Sequence, residues 1–552
     1  MRTHRFVLKT ILMALCASSY VFAQSKVKLQ YNDLQNILTE LRSLERIETP
    51  EGVPDHSASS VAHSLERLSA LRLRYSKIDT SGWPVEQRID HALFGAEING
   101  LDFHLRVLRP WSRDPAYYAL IWMEESDTPA HEGPLCHASI DVWRYTFPLS
   151  STDEKKLTRQ LQVIPPLLRQ AQSNLTENAR DLWIAGTAQV REQISFLDEI
   201  KSQSQTAGAE LHTAISNATG AYRDFVSWLE KEAPSKNGPS GIGKENYTWY
   251  LRHVLMVPLS LEEEVTLLKR ELDRAYASLA LERQRNRDLP EIIPFADAAS
   301  FQIGTDAAVK KLIRFLEEKK ILHVKPYMEK ELRKHTGRFQ PESQRHFFAN
   351  IVHRAPNVLY SHLTHWFETA WLRDEPHASA FRKTALPYNI WVSRSEGMAT
   401  GMEELLMHAG LYDDEPRARE LVWIMLAQRC ARGLASLYAH ANMIDYDAAR
   451  QFQVTWTPQG WTGDPALVGF EQHLYLRMPG YGTSYVSGKY MLERLMMERS
   501  RQVGSSYSVY QYFTELYSAG MIPVSLIRWQ LTGLDDEVRG LMMISNEKNQ
   551  GK

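Results

Sequence analysis

Apolar residues recur along this chain at helical rather than strand spacing. Leu34, Ile37, Leu38, Leu41 and Leu44 follow one another in steps that return to one face of an α-helix. Ile89, Leu93, Ala96 and Gly100 do the same, with Asp90, Glu97 and Arg106 turned elsewhere. Asp114-Pro115 breaks that run, Thr152-Asp153 opens another that Pro165-Pro166 interrupts, and 192–211 and 215–229 repeat the pattern. The Pro-, Gly- and Ser-rich stretch 233–243 reads as a loop. Beyond it Ser260 and Glu263 form a capping box that starts a helix to about Gln284. Thr305-Asp306 is expected to begin the next helix, and 323–338 reads as a short strand and then a helix. Asp413-Asp414 with Pro416 opens a long helix, apolar at Leu421, Ile424, Met425 and Ala427, that carries on to His440. Asp445 caps a short helix, 479–482 reads as a turn before a helix over 485–499, and Gly520 closes a helix over 512–519. Strand candidates are few. The expected fold is mostly α, a large multi-helix body, with 233–243 as the place where two lobes would divide.

Composition adds little to that picture. The chain has 552 residues, 43% hydrophobic and 24% charged, with a net charge of −2, so the basic footprint of a nucleic-acid binder is missing. The N-terminus says more. Arg2, Arg5 and Lys9 precede the apolar run 11–16, and Val21-Phe22-Ala23 offers small residues for cleavage, the pattern of a secretory signal peptide over 1–23. The run is shorter than the roughly 20 residues a spanning helix needs, which argues against an anchor and for a periplasmic or secreted protein with no membrane span after cleavage. The mature chain, 24–552, then keeps only Cys136 and Cys430. An oxidising compartment would let them pair; two buried free thiols are the alternative.

The chemistry concentrates in 358–404. His362 and His365 stand three apart in a helix-compatible run, and a second helical segment opens with Glu396 and carries Glu403 two turns on. Positions i and i+3 share a helix face, so both imidazoles can address one point, with Glu396 as a third ligand: a zinc site built from helices. Glu403 is then a group that orients a ligand from behind or the general base, and Glu368 a further candidate carboxylate. The alternative is a pair of core histidines beside Trp366 and Trp371. Arg429 and Arg432 could hold a substrate carboxylate with His440 as proton donor, or simply pair with acids such as Glu403 and Glu404. Tyr475 and Tyr485 flank the Pro-Gly turn, where a phenol could stabilise an oxyanion. The 14 Trp and 24 Tyr could line a groove, though core packing accounts for most of them.

Several C-terminal blocks resemble a bacterial family catalogued as domain of unknown function eight-hundred-and-eighty-five and described as gluzincin-like. EGMATGME (396–403) resembles Glu-Gly-Trp-Ala-x-Tyr-x-Glu, and RCARGLASLYAH (429–440) an Arg-Ala-x-Arg run ending in Gly-x-His. YLRMPGYGTSYVSG (475–488) resembles Tyr-x-x-x-Pro-Gly-Gln-Ala-x-x-Tyr-x-x-Gly, and YFTELYSAGMIP (512–523) resembles Phe-His-x-x-x-Leu-x-x-Gly-x-x-Pro. The resemblance implies a zinc-peptidase-like protein with a cleft between helical lobes. The family's His-Glu-x-x-Pro-Gly-His motif, however, falls on Leu359 to His365, where only His365 is kept and Leu359 and Tyr360 stand at the first ligand and the general base. Phe513 stands where the family's Phe-His block has its His. Two functions follow as expectations. One is an exported, metal-dependent peptide or amide hydrolase. The other is a non-catalytic relative that binds a peptide-like or other small-molecule ligand.

Overall fold

The structure is a computed structural model that describes residues 30–45, 49, 52–125, 138–383, 386–388, 392–461 and 465–541. The signal-peptide expectation over 1–23 and Cys136 lie outside these residues; Cys430 is a buried free thiol. The fold is mostly α-helical, as the periodicity predicts. Early in the chain α1 (Val85–Phe103) is followed by two short strands, β1 (Ile121–Trp122) and β2 (Ile140–Asp141), paired in parallel with Ile121 opposite Ile140. Two residues cannot show alternation, so no sequence pattern announced them. Helices α2 (Arg180–Gln203) and α3 (Ala209–Glu232) pack together, and α4 (Leu261–Arg285) starts at the capping box read from Ser260 and Glu263. The site is carried by α5 (Pro356–His362), a single 3-10 turn (Leu363–His365), α6 (Trp366–Asp374) and α7 (Val392–Ala409). Behind them stand α8 (Ala418–His440), α9 (Pro465–Arg477), α10 (Tyr481–Val503) and α11 (Val509–Ser518).

Several boundaries differ from expectation for identifiable reasons. The helix assigned to begin at Thr305 begins at Ala298, because Asp297 caps it by accepting from Ser300 N at 2.7 Å, while the Thr305 hydroxyl bonds back to the Phe301 carbonyl at 2.9 Å. No strand forms over 323–325; the helix Pro326–Lys334 opens there with proline in its first turn. Helix α10 begins at Tyr481 rather than Tyr485, since Gly480 takes φ +84° and turns the chain directly into it. Helix α7 begins one turn before Glu396.

One contiguous core of buried apolar side chains runs from Leu34 to Leu541. At its centre α8 is buried around its circumference, and α4 packs along it. A helix in that position that carries Gln428, Arg429 and Arg432 needs a partner for each polar head. Helix α7 lies against α10 so closely that a Cβ on Gly397 would stand 2.6 Å from Gly488 Cα, and one on Gly488 would strike the Ser393 carbonyl oxygen. The connection from α6 to α7 is tied down by Arg382, which donates to Asp90 of α1 at 2.7 Å, to Gln530 at 2.7 Å and to the Ala519 carbonyl at 2.9 Å. Among the described residues no helix is long and apolar enough to cross a membrane.

Candidate metal centre

The 3-10 turn between α5 and α6 brings the two imidazoles to ring centroids 5.2 Å apart, nearly perpendicular. From α7, Glu396 points back at them. One ligand atom each from His362, His365 and Glu396 lie within 4.8 Å of one another, and all three residues are buried. His362 Nε2 is 3.9 Å from Glu396 Oε2, a separation that one cation at about 2.0–2.2 Å from each ligand would span. Burial lowers His365 to about 3 and holds His362 well below its ordinary range, where Arg429, His365 and Arg432 push the same way. Both rings are therefore unprotonated at neutral pH, the form that ligates metal.

Glu403 lies on the other side of His362, with Oε1 2.9 Å from Nδ1. Arg429 Nη2 pairs with the same Oε1 at 2.6 Å and stands 3.0 Å from Nδ1. The ring nitrogen can serve one of them: bare, it accepts from Arg429; protonated, it donates to Glu403. A cation on Nε2 needs the lone pair there, which places the proton on Nδ1 and selects Glu403. Burial pushes Glu403 up to about 7 against Arg429, Arg432 and Lys489. Its neighbour Glu404 behaves oppositely. Against the upward push of burial, hydrogen bonds from Arg274 and the Lys489 charge bring it down to about 2, with Arg274 at 2.6 Å and Lys489 at 3.0 Å.

The remaining candidates divide. Tyr485 stacks on His362 at 6.2 Å between centroids, and Arg432 lies over the Tyr485 ring at 4.1 Å. Arg432 Nη1 is paired with Glu471 at 2.5 Å, and Tyr475 packs beside the same guanidinium at 5.8 Å. Both arginines thus meet buried acids, as the plainer sequence reading had it, although Arg429 Nε and Nη1 carry no hydrogen bond among the described residues. His440 does not join the cluster. It sits eight residues beyond Arg432 on α8, roughly 12 Å along the helix, where its Nε2 donates to the Tyr475 carbonyl at 2.8 Å and its ring meets Tyr247 at 5.1 Å. Glu368 is elsewhere too, sealed against Arg394 with both residues fully buried. Trp366 stacks on His365 at 5.7 Å, whereas Trp371 packs on Tyr517. Sequence reasoning missed Tyr481, whose hydroxyl donates to Glu396 Oε1 at 3.0 Å and accepts from Tyr485 at 3.3 Å. It also missed Glu471. Each stands four residues before a tyrosine singled out from the sequence, Tyr481 before Tyr485 and Glu471 before Tyr475, so one helical turn of spacing was the signal that could have found them.

Away from the centre, buried groups set a pH profile. Burial raises Glu264 and Glu368 to about 7 and Glu97 to about 8, and lowers His91, His335 and His440 to about 4. A carboxyl raised on folding keeps a proton that the unfolded chain has lost, so its contribution falls as pH climbs from about 4.5 to 7–8. A histidine lowered on folding refuses a proton that the unfolded chain accepts, so its contribution falls as pH drops from about 6.5 to 4. The two sets offset one another between about 4.5 and 6.5. Urea midpoints measured with chelator present should therefore be highest in that window and decline on both sides; a steady rise to pH 8 would contradict the burial of these carboxyls.

Two solved structures share the fold, both described as a "putative lipoprotein". The one from Shewanella oneidensis, of unknown function, superposes with a TM-score of 0.64 at 14% identity, covering 90% of this chain and 97% of its own. The one from Colwellia psychrerythraea gives 0.60 at 12% identity, covering 92% and 98%. No curated protein matches the chain. A family model matches residues 46–355 and so ends before His362. That match takes in more than half of the sequence, and the chain belongs to the family described as bacterial protein of unknown function (DUF885).

Proposed function

We propose that this chain is an exported metal-binding protein related to zinc-dependent peptide and amide hydrolases, with zinc held by His362, His365 and Glu396. The observation that carries the reading is the convergence of those three ligand atoms within 4.8 Å inside the protein. Two neutral imidazoles and a carboxylate suit zinc, and three protein ligands leave a fourth position for water or a ligand. A metal so held supplies Lewis acidity and an acidified water. The chain's own residues do the positioning. Glu403, pinned by Arg429, would hold the Nδ1 proton of His362, and Tyr485 packs against the ring. Export is supported by the N-terminal pattern and by the description of both structural neighbours as lipoproteins.

Of the two uses for such a centre, binding a peptide-like or other small-molecule ligand without turnover has the better support. A hydrolase needs a carboxylate free to take a proton from bound water. Glu403 faces the far nitrogen of His362 and pairs with Arg429, while Glu368 is occupied by Arg394.

Zinc content measured after purification from zinc-supplemented medium tests the centre. The parent should carry one zinc per chain. His365→Ala, which removes one of three ligands, should weaken zinc by about 10²–10³-fold, a proportionate share of the 10–16 kcal/mol typical of four-ligand sites. A parent without zinc would sink the reading, and zinc-dependent cleavage of peptides would move it to the hydrolase.

A further inference from the structure

The two oxygens of Glu396 do different work. Oε2 faces His362 Nε2 at 3.9 Å, while Oε1 accepts the Tyr481 hydroxyl at 3.0 Å. Tyr481 in turn accepts from Tyr485 at 3.3 Å. All three residues are buried. A carboxylate with both oxygens free to turn can chelate a cation through both, which fills a coordination position. One oxygen fixed by a phenol leaves the other as a single-point ligand.

Resting on the metal-site reading above, we propose that Tyr481 is a positioning residue that makes Glu396 a one-oxygen ligand and so keeps a coordination position open for an exogenous ligand. The local sequence is shaped for this. Gly480, at φ +84°, turns the chain so that α10 starts with Tyr481 itself. Two turns on, the backbone contact of Gly488 with Gly397 fixes the separation between α10 and the helix that carries Glu396. Tyr485 donates to Tyr481, so the Tyr481 oxygen, its own proton committed to Glu396, is itself held in place.

The experiment compares metal-stripped parent, Tyr481→Phe and Tyr485→Phe by zinc competition against a chelating dye, by the visible spectrum of the cobalt(II)-loaded forms, and by melting of the stripped proteins. Outer hydrogen bonds to metal ligands typically contribute 10–100-fold in affinity. Tyr481→Phe should weaken zinc by about that factor. Its cobalt spectrum should also shift toward the weaker bands of higher coordination, as the released carboxylate swings to chelate. Tyr485→Phe removes the donor that steadies the Tyr481 oxygen but leaves the Tyr481–Glu396 bond itself, so it should weaken zinc less than Tyr481→Phe and leave the cobalt spectrum unchanged. Parental affinity and spectrum in Tyr481→Phe would overturn the proposal. So would equal loss in both variants together with equally lowered melting of the stripped proteins, which marks a packing role. A parent that takes up no zinc at all fails the underlying metal reading, a result distinct from either.

Discussion

Replacing Glu368 with glutamine is expected to destabilise the protein by about 3–5 kcal/mol, the usual cost of leaving one member of a buried ion pair without its partner. Arg394 would remain, fully buried, over the Tyr517 ring at 5.7 Å, with none of its guanidinium nitrogens in a hydrogen bond among the described residues. The pair itself stabilises little. Burial pushes Glu368 up to about 7 despite the adjacent guanidinium, so the cost of removing water outweighs the attraction. It follows that the double variant Glu368→Leu/Arg394→Leu should be less destabilised than either single change, since apolar side chains carry no charge to strand. Urea midpoints of the three variants decide this, and additive losses would refute it. Zinc content should survive in the double variant, because Glu368 pairs with Arg394 and is not among the three candidate ligands. The carboxylate three residues after His365 looked like a ligand in the sequence for good reason: spacing reports which face a residue shares, not which partner reaches it first from another helix.

The second large effect is expected at the α7–α10 crossing. Gly488→Ala would drive its Cβ onto the Ser393 carbonyl oxygen and to 2.9 Å from Gly397 Cα. Backbone cannot step aside as a side chain can, so the loss should reach or exceed the about 1–3 kcal/mol of ordinary overpacking. The helices must part, and parting them pulls Tyr481 away from Glu396. Gly488→Ala should therefore lower the urea midpoint and weaken zinc together. Gly401, on α7 with nothing within 4 Å of a built Cβ, provides the control. Gly401→Ala should be neutral or slightly stabilising, since alanine favours a helix by about 1 kcal/mol. Equal effects at the two glycines would show that the crossing has room for a side chain at Gly488.

These two positions also show how far the sequence could be read. Helical periodicity and the Ser260–Glu263 box were local signals, and local structure followed them. His362, His365 and Glu396 were readable because two of them share one short segment and the third lies on the next long helix. His440 misled because it sits on the same helix as Arg429 and Arg432, yet the rise along that helix carries it out of reach. Tyr481 was hidden because the Pro-Gly pair reads as a turn through 482, whereas the chain is already helical at Tyr481. The Gly397–Gly488 contact was invisible for the opposite reason: it is made by tertiary packing between segments tens of residues apart, and no window of spacing encodes which two helices will cross.

The short 3-10 turn over Leu363–His365 has a consequence for how such a centre tolerates change. At three residues per turn, side chains at i and i+3 eclipse one another, so His365 projects in register with His362 instead of lagging behind it as on a wider coil. Adding or deleting a single residue there would rotate the second imidazole by about a third of a revolution, enough to aim it out of the hollow. The relative aim of the two imidazoles is thus set by the winding of three peptide units.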